Sequence, residues 1–186
     1  MIEKENILRI LRETKKALEN NDTSLLKNLS NQTIHSASIY QDQDNISVAV
    51  TVYSLGKILE RPNYKSLKGW NNFYEIIKNA LDTSIKSIEK NDLKNFKENF
   101  IFIGKAINKI SGRLKDYVQQ VLEKAKVTKA SRIYEHGISL GKTADLLGIS
   151  LFELADYTGN TGIANVSFNQ TIDVKKRIKI AEEIFS

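Results

Sequence analysis

Apolar residues recur every three or four positions along most of the chain, and period-two alternation is confined to a short stretch near 166–171. That spacing predicts amphipathic helices with one face turned to a core. Residues 3–20 read as a first helix with Ile7, Ile10, Leu11, Thr14 and Leu18 on one side. Asp22 is placed to cap a second, about 23–38, carrying Leu25, Leu26, Leu29, Thr33 and Ala37 inward. After a polar connection at 40–44 comes a third helix, about 45–60, apolar on most sides and therefore expected at the centre of a bundle. Arg61-Pro62-Asn63 ends it, and a fourth helix follows at 70–90.

The longest regular pattern begins after Asn91-Asp92. Leu93, Phe96, Phe100, Ile103, Ile107, Ile110, Leu114, Tyr117 and Val121 keep a 3-4 heptad spacing, which predicts one helix about 50 Å long packed by knobs into holes. Phe-Ile-Phe-Ile at 100–103 widens its stripe and suggests burial on two sides, and the spine is a candidate dimer seam. Gly104 and Gly112 lie within it and permit either close approach or a bend.

Residues 140–159 carry the signs of a helix-turn-helix. Ala144 is small where two short helices meet, Gly148 suits a turn at positive φ, and Leu154 and Tyr157 give the second helix an inward face. Ser139 is placed to cap the first helix, and Ser150-x-x-Glu153 spells a capping box for the second. The segment 132–159, with its run Leu-Leu-Gly-Ile-Ser and a following aromatic-Glu-Leu helix, resembles the helix-turn-helix of small antitoxin-like proteins of archaea and bacteria. That resemblance implies DNA binding or partner pairing in a toxin–antitoxin setting; residues 1–126 do not share in it. The second helix nevertheless offers Glu153 and Asp156 and no Lys or Arg, a poor set for phosphates, so a protein-docking role stands beside DNA reading. A last helix is expected at 174–185, its start marked by Lys175, Lys176, Arg177 and Lys179.

Charge adds a partner class. The net +6 lies wholly in residues 1–126, since from Val127 onward seven basic residues balance seven acidic ones. Lys97, Lys105, Lys109 and Arg113 recur at multiples of four on the far side of the heptad helix, forming either a phosphate-contacting ridge or a solvated outer face. The absence of Cys excludes a disulfide scaffold, a thiolate metal site and a cysteine nucleophile. No run of about 18 apolar residues crosses a membrane, and Met1 opens into a charged stretch instead of a secretory leader, so a cytoplasmic protein is expected.

Candidate chemistry is sparse. Asn31, His35 and Ser38 share a helix face, and Asp42 is close enough in sequence to orient the imidazole, which makes a candidate acid–base or small-ligand site or simply a hydrogen-bonded helix end. The second histidine gives Arg132-x-x-x-His136, similar to the ribonuclease motif of some helical-bundle toxins but one residue shorter than its usual spacing. No Gly-rich phosphate loop or metal-ligand set is present, and no cofactor is expected. The sequence thus points to an all-α protein of two units, a helical bundle (1–126) and a helix-turn-helix unit with a terminal helix (127–186). Its expected role is that of a non-enzymatic nucleic-acid-binding regulator, on DNA before RNA and as a homodimer. The alternative is a ribosome- or toxin-associated adaptor without nucleic-acid readout, with a ribonuclease behind both.

Overall fold

The computed structural model describes residues 3–109 and 112–161, and of 101 and 104–109 the backbone alone. The helices are α1 (Lys4–Glu19), α2 (Thr23–Tyr40), α3 (Gln43–Leu59), α4 (Trp70–Glu89), α5 (Leu93–Lys109), α6 (Gly112–Glu135), α7 (Leu140–Leu147) and α8 (Leu151–Asn160). A 3-10 turn at Pro62–Ser66 separates α3 from α4, and no strand occurs among the described residues. The fold is an all-α bundle.

Two junctions use one device. Leu18-Glu19-Asn20-Asn21-Asp22 and Ile88-Glu89-Lys90-Asn91-Asp92 share the order aliphatic-Glu-x-Asn-Asp. In each the Asn before the Asp takes a positive φ, 53° at Asn21 and 60° at Asn91, a conformation Asn tolerates better than most residues. The Asp N–H then donates to the carbonyl five residues back, Ala17 and Ser87, at 2.8 Å in both turns. The Asp carboxylates accept from Leu25 N–H at 2.9 Å and Asn95 N–H at 3.0 Å, so each turn stops one helix and caps the next. The result is two helical hairpins, α1–α2 and α4–α5, brought together through α1 and α4. Arg12–Glu89 and Lys15–Asp82, each at 2.6 Å, trim the edge of that contact, where solvent keeps their worth small.

The third helix is central, as its all-round apolar pattern predicts. It packs on α1, α2, α6 and α7. The larger core holds Ile7, Leu11, Leu26, Val52, Leu55, Phe73, Leu81, Phe96, Leu114 and Val118 from α1 to α6. A smaller one gathers Ile34 and Ala37, Ile46 and Ala49, Ala130 and Ile133, and then Ala144, Leu147 and Leu154. Helices α2, α3 and α6 contribute to both. The division expected at 126/127 falls inside α6, whose last turns lie against α2 and α3.

The heptad spine differs from its expectation. Instead of one helix from 93 to 121, the pattern is shared by α5 and α6, and Gly112 opens α6 at φ +67°. A right-handed helix cannot run through that angle, and glycine is the residue that adopts it without cost. Periodicity survives because each half buries its own stripe: Phe96 and Ile103 in α5, Leu114, Tyr117 and Val118 in α6. The burial on two sides expected of 100–103 does not extend to Phe102, which is 48% exposed. The short alternating stretch near 166–171 and the helix expected at 174–185 lie outside the described residues.

Candidate functional site

Where α2 meets α6, two polar stripes face each other. On α2, Lys27, Asn31 and His35 follow at intervals of four; on α6 and the turn that follows it, Lys129, Arg132 and His136 follow at three and four. The Ser30 hydroxyl, donating to the Ala49 carbonyl at 2.7 Å, ties this part of α2 to α3. Beneath the seam lie the apolar contacts of Ile34, Ala37, Ala130 and Ile133. The stripes meet residue on residue: Lys129 Nζ donates to Asn31 Oδ1 at 3.0 Å, and the His35 and His136 rings stand edge to face with centroids 5.3 Å apart.

Lys129 is the unusual member. It is 1% exposed, and its ammonium has the Asn31 oxygen and the Tyr53 ring, 4.3 Å to the centroid, but no ion-pair partner among the described residues. Buried charges are ordinarily paired, because leaving water unpaired costs several kcal/mol. Burial above all, then the like charges of Arg132 and Lys27, push its pKa from the ordinary 10.5 of lysine down to about 8. Burial, and then His35, likewise lower His136, with Glu135 opposing. A histidine lowered from 6.5 is neutral at pH 7. Glu135 is already engaged by Arg132 at 2.8 Å. Lys129 thus lies in the field of two like charges, Lys27 and Arg132, and the carboxylate that acts on His136, Glu135, is already paired. The seam is short of negative charge, and an oxyanion is the ligand that would complete it.

The polar site predicted around His35 is therefore only partly assembled as expected. Ser38 Oγ donates to the His35 carbonyl at 2.7 Å, a bond within the helix end. Asp42 serves α3: it is the N-cap and accepts from Asp44 N–H at 2.9 Å. The chain leaves α2 through Gln41 at φ 50° and starts α3 two residues later, so the polar connection expected at 40–44 is shorter than predicted. What faces His35 is α6, a pairing of residues about a hundred positions apart that no local pattern in the sequence displays.

The basic ridge fares differently. Lys97 is drawn to Asp44 at 3.6 Å. Lys105 and Lys109 lie further along α5, with side chains outside the described part, and Arg113 is exposed on α6 beyond the positive-φ glycine. These four positions do not share one helix face, because α5 and α6 are separate elements. Lys175, Lys176, Arg177 and Lys179 lie outside the described residues.

The α7–α8 unit has the local chemistry its residues call for. Ser139 Oγ accepts from Lys142 N–H at 3.3 Å. Gly148 turns at φ +62°, Ile149 N–H donates to the Ala144 carbonyl at 3.1 Å, and Ala144 is buried. Ser150 and Glu153 form both arms of the capping box: Ser150 Oγ accepts from Glu153 N–H at 3.1 Å, and the Glu153 carboxylate accepts from Ser150 N–H at 2.9 Å. The Ser150 hydroxyl, donating to the same carboxylate at 2.7 Å, and then the Ser150 N–H hold the Glu153 carboxyl below its usual range.

No family model, curated protein or solved structure matches this chain. Function has to be read from the side chains themselves. Leu154 and Thr158 of α8 are buried, and its outer face carries Leu151 (54% exposed), Phe152 (80%), Glu153 and Asp156. Phe152 borders a cleft of about 690 Å³ between α3, α6 and α8, whose walls include Tyr53, Tyr117 and Val121. Among the described residues no three His, Asp or Glu side chains gather to hold a metal ion, and no helix is long and apolar enough to cross a membrane.

Proposed function

We propose that the protein is a nucleic-acid-binding regulator that holds backbone phosphates along the α2–α6 seam, on RNA before DNA. The observation that carries the reading is Lys129, a buried ammonium without a carboxylate partner among the described residues, in the field of Arg132 and near two imidazoles. Phosphate oxygens are the commonest biological partner for such a set, and imidazoles offer unpaired bases a stacking face. RNA is placed ahead of DNA because the exposed face of α8 presents Leu151, Phe152, Glu153 and Asp156, which would meet the phosphates of a duplex groove with repulsion.

Retention of a single-stranded oligonucleotide should fall linearly on a log–log plot against salt. Arg132→Ala, an exposed change, should weaken binding and reduce that slope by about one. A slope near zero, or an Arg132→Ala protein that binds like the wild type, would refute it. A second reading, a protein adaptor, rests on Phe152, the most exposed large apolar side chain among the described residues. Phe152→Ala should leave oligonucleotide retention unchanged; loss of retention would instead put the nucleic acid on α8.

A further inference from the structure

We infer that His35 and His136 form a metal-independent RNA-cleaving site, in which the 2′-hydroxyl of the bound strand is the nucleophile. The inference rests on the nucleic-acid reading above and adds a reaction to it. The observation behind it is the convergence of the chain's two histidines, from α2 and from the turn that ends α6, to a ring separation of 5.3 Å. They stand at the outer end of a seam whose buried member is a lysine without an ion-pair partner among the described residues. Two imidazoles side by side can divide acid–base chemistry at phosphorus: one takes a proton and the other gives a proton back.

The step balances with no further reactant. His136, kept neutral by its partial burial, removes the proton from the 2′-hydroxyl as the 2′-oxygen forms a bond to the adjacent phosphorus. The bond from phosphorus to the 5′-oxygen breaks, and His35 in its protonated form gives that oxygen a proton. The products are a 2′,3′-cyclic phosphate and a 5′-hydroxyl. One imidazole gains the proton that the other loses. Negative charge grows on the non-bridging oxygens in the transition state, where Arg132 offers N–H donors and Lys129 acts through its field from the low-dielectric layer beneath. The charged and titratable groups that act on His136 are His35 across the seam and Glu135 and Arg132 on α6, with the buried Lys129 further along the seam. DNA has no 2′-hydroxyl and is bound but not cut.

The test incubates the full chain, in excess EDTA, with a single-stranded oligoribonucleotide and with the same sequence in deoxy form. Cleavage of the ribo strand alone, to cyclic-phosphate and 5′-hydroxyl ends, with a bell-shaped pH profile, is the expected result. His35→Ala and His136→Ala should each lower the rate at saturating strand ~100-fold or more, while both variants keep the wild-type melting curve. If the deoxy strand binds and the ribo strand stays intact, the catalytic inference fails and the binding reading stands. If neither strand binds, both fail. Cleavage that persists undiminished in both histidine variants, or that EDTA abolishes, overturns the inference as well.

Discussion

Exchanging Lys129 for methionine should make this protein more stable and less able to bind nucleic acid. The side chain is buried and held by an amide oxygen and an aromatic face, so its charge is a cost that methionine, of similar length, removes. A pKa lowered from 10.5 to about 8 corresponds to roughly 3 kcal/mol of penalty on the charged form, and the expected gain at neutral pH is on the order of 1–3 kcal/mol. The sign of the pH dependence follows from proton counting. Above about pH 8 the folded protein has released this proton while the unfolded chain holds it until about 10.5. The unfolded state therefore binds more protons in that window, and wild-type stability rises with pH across it. Tyrosines titrate near the upper end of the same window, so the wild-type curve is compared with that of Lys129→Met, which should lack the rise. Urea titrations at pH 7 and pH 10 measure both effects. A methionine variant that is less stable at pH 7 would mean that the ammonium has partners that offset its burial.

Phe96→Ala should cost about 3–5 kcal/mol, the range for losing a fully buried aromatic ring. Phe96 is 1% exposed and stacks obliquely on Phe100 at 4.8 Å, at the place where the α4–α5 hairpin enters the larger core. The lone Trp70, itself buried in that core, reports the transition by fluorescence. A melting temperature lowered by about 10 °C is the expected scale. A loss under 1 kcal/mol would say that α5 is not part of the cooperative core and that the two hairpins do not fold as one unit.

Much of the fold could be read because its signals are local. The Ser150-x-x-Glu153 box, Asp22 before Thr23 and Gly148 after Leu147 act on neighbouring backbone groups, and each forms the bond or angle its sequence implies. Of the Asn-Asp turns the sequence alone predicts only the cap at Asp22 and the helix start after Asp92; that Leu18–Asp22 and Ile88–Asp92 repeat one order of residues stands out beside the structure. The heptad run misled because periodicity records which residues are buried and not whether the backbone is continuous. Gly112 at φ +67° breaks the helix without breaking the register of Phe96, Ile103, Leu114 and Tyr117.

The seam was only half legible. Asn31 with His35 and Arg132 with His136 each stand out at a spacing of four, but their pairing depends on how α2 and α6 pack around α3. Apolar neighbours carry the signal: Ile34 with Ala37, and Ala130 with Ile133, place each polar stripe at the edge of a buried face. Lys129 could not be read at all, because a lysine among Val127, Thr128 and Ala130 looks in sequence like any solvated cation.

The chain has two histidines, so their imidazole signals can be assigned by single substitution and followed one by one. An NMR titration of both signals with a single-stranded deoxyoligonucleotide, repeated at high salt, asks directly whether phosphate enters between α2 and α6. The account predicts that both signals move together, that both pKa values rise on binding, and that salt reverses the change. Saturable binding that leaves both imidazoles where they began would place the nucleic acid elsewhere and contradict it.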